Sequence, residues 1–132
     1  MIRKFKNLDL RGKNFSNEDL KFAVFTNCII DESTNFSGSN LRHAVFNNTN
    51  IEDAKLIDVI GNGKDIITLT IRARTINITK KYVWIDCVKL EPNDAFDKNK
   101  LFLVAKNHEK TIRSEEVIPY AKIIYAIHNI SF

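Results

Sequence analysis

The side chains able to do chemistry in this sequence are few and widely spaced. Cys28 and Cys87 are the two thiols; a nucleophilic cysteine needs a polarising neighbour and access to solvent, and a disulfide belongs to an oxidising compartment. With no CxxC spacing, the pair reads as two buried free thiols. His43, His108 and His128 show neither HxH nor HxxxH spacing, so the short-range histidine pairs of a zinc site are missing. Gly12, Gly38, Gly61 and Gly63 form no nucleotide-binding fingerprint. Asp31-Glu32, Glu52-Asp53 and Glu115-Glu116 are sequence neighbours whose carboxylates point in different directions, and they read as solvated surface rather than general acid-base pairs. The sequence therefore predicts no catalytic, cofactor or metal site, and a protein that is not an enzyme. A Cys-His pair that meets only in the fold is the one arrangement that spacing leaves open.

Charge points to one further surface. The formal net charge is +4, and residues 1–60 hold eight Lys and Arg against eight Asp and Glu, so the excess lies wholly in the second half. Arg72, Arg74, Lys80 and Lys81 fall near Tyr82 and Trp84. Cations interleaved with aromatic rings can hold phosphates and stack bases, which makes this group a candidate nucleic-acid or partner contact. The simpler reading is a charged outer face that keeps strand edges from aggregating.

The elements that position these residues follow from an unusual period. Phe5, Leu10, Phe15, Leu20, Phe25 and Ile30 recur at every fifth residue; after a one-residue slip Phe36, Leu41, Phe46, Ile51 and Leu56 continue the series. Five residues turn a helix about 140° from its starting face and put a strand on its opposite face, so neither structure lines these residues up. Each five-residue unit must turn a corner. Three sides would mix the ladders and two would leave no interior wide enough for phenylalanine, whereas four stack like on like: Phe5 under Phe25 under Phe46, Leu10 under Ile30 under Ile51, Phe15 under Phe36 under Leu56, and Leu20 under Leu41. Ala23, Cys28, Thr34, Ser39, Ala44, Thr49 and Ala54, two residues before each centre, supply small inward side chains. Asp9, Asn14, Asp19, Asn35, Asn40 and Asn50, one before the centre, are residues that bond neighbouring backbone in turns. Lys13 and Glu18 stand where small residues belong, which predicts an irregular first coil, and the extra residue between Asp31 and Asn35 predicts a bulge.

Ala44-Val45-Phe46-Asn47-Asn48, Ser39-Asn40-Leu41-Arg42-His43 and Ala54-Lys55-Leu56 resemble units of the pentapeptide repeat family, and the resemblance runs over residues 3–58. It implies a right-handed quadrilateral β-helix, here of just under three coils, with Leu or Phe and the preceding small residue inside. Solenoids need closed ends, so residues 1–60 are expected to form the β-helix and residues 61–132 a small α+β cap. Gly61-Asn62-Gly63 is the turn that ends the solenoid. Ile67, Leu69, Ile71 and Ala73 alternate with polar residues as in a half-buried strand; Ile76 and Ile78 suggest a second, and Val83, Ile85 and Cys87 a third with Trp84 opposite. From Glu91 the pattern turns helical, with one helix opening at Pro92-Asn93-Asp94 and ending near Asn107. A last one in IPYAKIIYAIHNI, with Pro119 in its first turn, is apolar nearly all round and so expected to be buried.

The tail, through Gly61-Asn62-Gly63, Ile76 to Thr79, Tyr82 to Cys87 and Pro119 to Ile124, is similar to pentapeptide repeat proteins of phages and prophages. The resemblance implies a non-enzymatic protein-interaction module, a phage-encoded inhibitor or modulator of a host protein, with nucleic-acid binding through the basic half as the alternative. The family's DNA mimics, which bind DNA gyrase, imply a strongly acidic rod; this solenoid is near neutral. No apolar stretch approaches the roughly 20 residues of a membrane span, so a soluble chain in the cytoplasm, the host's if phage-encoded, is expected, with no membrane partner and no cofactor. Phe5, Leu10, Tyr120, Tyr125 and Phe132 are the candidates for self-association as a homodimer.

Overall fold

The computed structural model describes residues 2–71, 74–97, 99–101 and 117–132, with the side chains of 71 and 117–120 outside the description. Strands β1 (Lys4–Lys6), β2 (Val24–Thr26) and β3 (Val45–Asn47) form a parallel sheet in which Phe5, Phe25 and Phe46 are in register. Isolated parallel bridges build three more ladders: Asp9 with Ile29, Asn14 with Asn35 and Lys55, and Asp19 with Asn40 and Ile60. Four ladders make four sides, as the stacking of like residues requires. The spacing between rungs changes from 20 to 21 only where the circuit passes between Ile29 and Asn35. There the carboxylate of Asp31 accepts the Ser33 N–H at 2.9 Å, and Ser33 Oγ accepts the Gly12 N–H of the coil below at 2.8 Å, so the extra residue is absorbed in a bonded bulge.

Large side chains fill the tube in columns. Phe25 stacks on Phe5 and Phe46 at centroid distances of 4.7 and 5.2 Å and meets Phe15 and Phe36 edge-on at 6.2 and 5.7 Å. The small inward residues are all buried, and both threonines bond backbone: Thr34 Oγ1 donates to Leu10 O at 2.9 Å, and Thr49 Oγ1 accepts the Cys28 N–H at 3.1 Å; the Ser39 hydroxyl has no partner among the described residues. Corners are made twice over. Asp9, Asn14, Asp19, Asn35 and Asn40 each accept the N–H two residues on, at 2.9 to 3.2 Å; Asn50 makes no such bond. Two residues after every centre but Ile30 and Ile51, and after Gly61, the backbone enters the left-handed region, at Asn7, Gly12, Asn17, Phe22, Asn27, Gly38, His43, Asn48, Asp58 and Gly63. Most of these are the types for which that conformation costs least.

The first coil is not irregular. The Asn35 N–H donates to Lys13 O and the Asn40 N–H to Glu18 O, both at 3.0 Å, as regularly as in the coil above. Lys13 is exposed and Glu18 reaches Arg3 at 3.4 Å, so the long side chains leave the interior while the ladders keep their register. At the same end Arg11 holds Asp9 through two contacts, Nε at 2.9 Å and Nη2 at 2.7 Å. These bonds keep the Asp9 carboxyl at about 2, well below the usual carboxylate range. The Asp9 carbon resonance is thus expected to titrate near pH 2 by NMR, and in Arg11→Ala to return toward the ordinary value of about 3.9. Because the folded value is the lower one, any stability this ion pair gives is present above the unfolded pKa and lost as pH falls toward 2. An unmoved midpoint in the variant would show that the pair does not form in solution.

Beyond the solenoid, β4 (Ile67–Ile71), β5 (Arg74–Ile78), β6 (Val83–Ile85) and β7 (Val88–Leu90) make an antiparallel sheet in chain order. Cross-strand rows assign its two faces. Ile67, Ile78, Val83 and Leu90 form one row and Leu69, Ile76, Ile85 and Val88 another, and all of these but Val88 pack with Ala95 of α1 (Pro92–Phe96), Leu101, and Ala121 and Ile124 of α2 (Val117–Ser131). The row Thr68, Asn77, Trp84, Lys89 lies on the opposite face, toward the last rung of the solenoid. Asn77 Nδ2 donates to Leu56 O at 3.1 Å, Thr68 Oγ1 accepts the Gly61 N–H at 2.8 Å, and Trp84 packs into the solenoid core.

Four expectations change here. Cys87 is exposed rather than buried, because Asp86 takes a φ of 48° and the chain turns before the alternation of β6 reaches it. Strand β7 follows where no element was expected. Among the described side chains of helix α2, Ala121 and Ile124 are buried while Ile123, Tyr125 and Ile130 face outward, so from Ala121 on it rests on the sheet by one face instead of being enclosed. The fourth is that α1 closes at Phe96, with Asp97 extended, instead of running on toward Asn107; Ala73 and Asn107 themselves lie outside the described residues.

Candidate interaction surface

The basic cluster does not assemble into a nucleic-acid platform among the described residues. Arg74 faces Asp86 at 3.9 Å and Lys81 faces Asp53 at 3.0 Å, so each cation has an acidic neighbour. Lys80 is exposed, and Arg72 lies outside the described residues. The decisive correction concerns Trp84. Only 6% of it is accessible, since its face of the sheet lies against the solenoid, and a ring held there cannot stack a base.

The residues proposed for self-association also separate. Leu10 is 3% exposed and belongs to the core, which withdraws it as a contact. Phe5 is half-buried, with the Arg3 guanidinium 5.2 Å from its ring centroid. Tyr125 is exposed and meets Phe96 edge-on, while Phe132 is exposed beside His128. The Tyr120 side chain lies outside the described residues.

A different surface emerges at one outer corner of the tube. Eight of the ten left-handed corner positions hold Asn, Asp or Gly; the exceptions are Phe22, at φ 63°, and His43, at φ 60°. They occupy the same corner on successive coils, and their rings stack at 4.8 Å with an interplanar angle of 15°. Phe22 is 52% exposed, and Ile2, Val24 and Val45, in neighbouring sequence on the same turn of their own coils, carry further accessible apolar surface. A bulky residue in this region costs about 1–2 kcal/mol against glycine, partly offset by the roughly 0.5–1.5 kcal/mol of an aromatic contact. The corner requires this backbone but not a bulky residue on it, and strain kept where Asn or Gly would relieve it is a mark of a working site. The repeat contained the signal for it: Asn, Gly or Asp recurs at most corner positions, and Phe22 and His43 put rings there instead.

With the four ladders, the stacked centres and the left-handed corners in place, the repeat can be compared with known families. Residues 32–60 match the family model for pentapeptide repeats (8 copies). No curated protein and no solved structure matches the chain. The match begins at the 31–33 bulge and extends to the last rung at Ile60, whereas the pentapeptide ladders themselves start a coil earlier, at Lys4. That earlier coil carries Lys13 and Glu18 in place of the small inward residues and is separated by the one-residue insertion. No group of three or more His, Cys, Asp or Glu able to hold a metal ion occurs among the described residues, nor does any helix there have the length and apolarity to cross a membrane.

Proposed function

We propose that this chain is a non-enzymatic protein-interaction module: a right-handed quadrilateral β-helix of just under three coils, capped by residues 61–132, that docks another protein on the corner built by Phe22 and His43. The carrying observation is that stacked, exposed pair held in left-handed backbone, where the repeat elsewhere uses Asn, Asp or Gly. Pentapeptide repeats are often protein-interaction modules, which supports the reading, and the tail's resemblance to phage and prophage proteins makes a host protein the target. The solenoid's balance of acidic and basic residues argues against a DNA mimic.

Phe22→Asn separates function from stability. It removes about 0.5–1.5 kcal/mol of stacking and relieves about 1–2 kcal/mol of backbone strain, so the urea midpoint is expected to stay the same or rise. Capture of the partner from host lysate, quantified by mass spectrometry, is expected to be lost. If Phe22→Asn and the unaltered protein retain the same proteins, the corner is not the docking surface.

A further inference from the structure

A groove of about 380 Å³ runs where the solenoid meets the β6–β7 hairpin, lined by Glu32, Ala54, Lys55, Ile57, Trp84, Cys87 and Lys89. Its volume is at the small end of the roughly 300–1,000 Å³ of small-molecule sites. The solenoid contributes an apolar strip, Ala54 and Ile57, and the hairpin contributes the edge of the Trp84 ring. Two lysines, Lys55 and Lys89, belong to the same lining. Lys89 Nζ lies 3.9 Å from the Tyr82 ring centroid and 5.9 Å from that of Trp84; Lys55 is exposed on the rung paired with Asn35. Neither has a carboxylate within ion-pair distance among the described residues. Glu32 is the one acidic residue of the lining and leaves an excess of one positive charge.

Trp84 adds an independent observation. Its indole N–H is buried and has no acceptor among the described residues, a state that costs about 1–3 kcal/mol. The lining thus carries two cations against one carboxylate, beside an apolar surface and a buried N–H without an acceptor.

We propose that the groove binds a small organic anion with a flat apolar body, an aromatic carboxylate. The carboxylate sits between Lys55 and Lys89, and the ring lies along Ala54, Ile57 and the Trp84 edge. Such a ligand supplies both the negative charge the lysines lack and an acceptor of the kind the indole N–H lacks. The site is independent of the Phe22 corner.

The test uses the full chain and one spectroscopic reporter, because Trp84 is the single tryptophan. Naphthalene-2-carboxylate is titrated while the indole N–H cross-peak is followed by NMR, with the neutral naphthalene-2-carboxamide as a parallel arm. Alkylation of Cys87 by iodoacetamide, read by mass spectrometry, gives a second signal from the same groove. The carboxylate is expected to shift the indole peak saturably with a Kd below about 1 mM and to slow Cys87 alkylation. The carboxamide is expected to bind at least about tenfold more weakly, and the double variant Lys55→Met, Lys89→Met, which keeps the apolar stems, to lose about tenfold in affinity for the carboxylate. Absence of a saturable shift, equal binding of acid and amide, or undiminished affinity in the folded double variant would each overturn the proposal.

Discussion

Phe25→Ala is expected to lower the unfolding free energy by about 3–5 kcal/mol, the range for truncating a buried phenylalanine. Phe25 is fully buried and touches four other rings, stacking on Phe5 and Phe46 and meeting Phe15 and Phe36 by the edge. Parallel ladders run through all three coils on three sides and join Asp9 to Ile29 on the fourth, so the walls cannot close over the vacated space without breaking register. Small domains have only about 5–15 kcal/mol of stability in total, and the loss is a large share of it. The measurement is the urea midpoint at constant m-value. Phe46→Ala is the control: Phe46 lies on the same column but is only partly buried, so it should cost markedly less. Equal losses at the two positions, or a loss under about 1 kcal/mol at Phe25, would mean that the interior columns are not what holds the coils together.

That column was legible because a repeat writes its interior at fixed intervals. Four sides followed from asking which circuit length sets Phe5 under Phe25 and Leu20 under Leu41, and the observed ladders have that circuit. The corners were half legible: Asp9 and Asn14 announced their turns, but the left-handed position went unread because Phe22 and His43 interrupt the Asn and Gly series. Lys13 and Glu18 misled, since a side chain that cannot enter the tube does not prevent its backbone from pairing. Cys87 was misplaced by extending an alternation one turn too far. Trp84 shows a deeper limit. Alternation correctly set it opposite Val83 and Ile85, yet whether that opposite face meets water or a second interior depends on the last rung of the solenoid, some 28 residues earlier at Leu56. The groove has the same origin: residues 32–57 and 84–89 are joined by docking alone, and no local pattern announces it.

The docking itself rests on Gly61, where Gly61→Ala is expected to cost about 3 kcal/mol or more, at the upper end for overpacking. Gly61 takes the central position after Leu56, on the circuit above Leu41, whose N–H donates to Ile60 O at 2.8 Å. A Cβ there would stand 2.2 Å from Ile66 O, 2.7 Å from Ile66 Cγ2 and 2.8 Å from its Cβ. The fully buried Ile66 thus fills the space that a repeat side chain would otherwise need. Because one of the opposing atoms is a backbone oxygen, side-chain rotation cannot relieve the clash. The 61–66 loop would have to move, and with it Asn62, whose Oδ1 accepts the N–H groups of Lys64, Asp65 and Ile66 and whose Nδ2 donates to Ala44 O at 3.0 Å. Gly63→Ala isolates the backbone cost. Gly63 has a φ of 79° with nothing within 4 Å of an added Cβ, so it should lose only about 1–2 kcal/mol. Urea unfolding of both variants, followed by Trp84 fluorescence to report on the sheet face at the same time, decides the matter. If Gly61→Ala costs no more than Gly63→Ala, Ile66 does not wedge the sheet against the solenoid and the contact depends on Thr68, Asn77 and Trp84 alone.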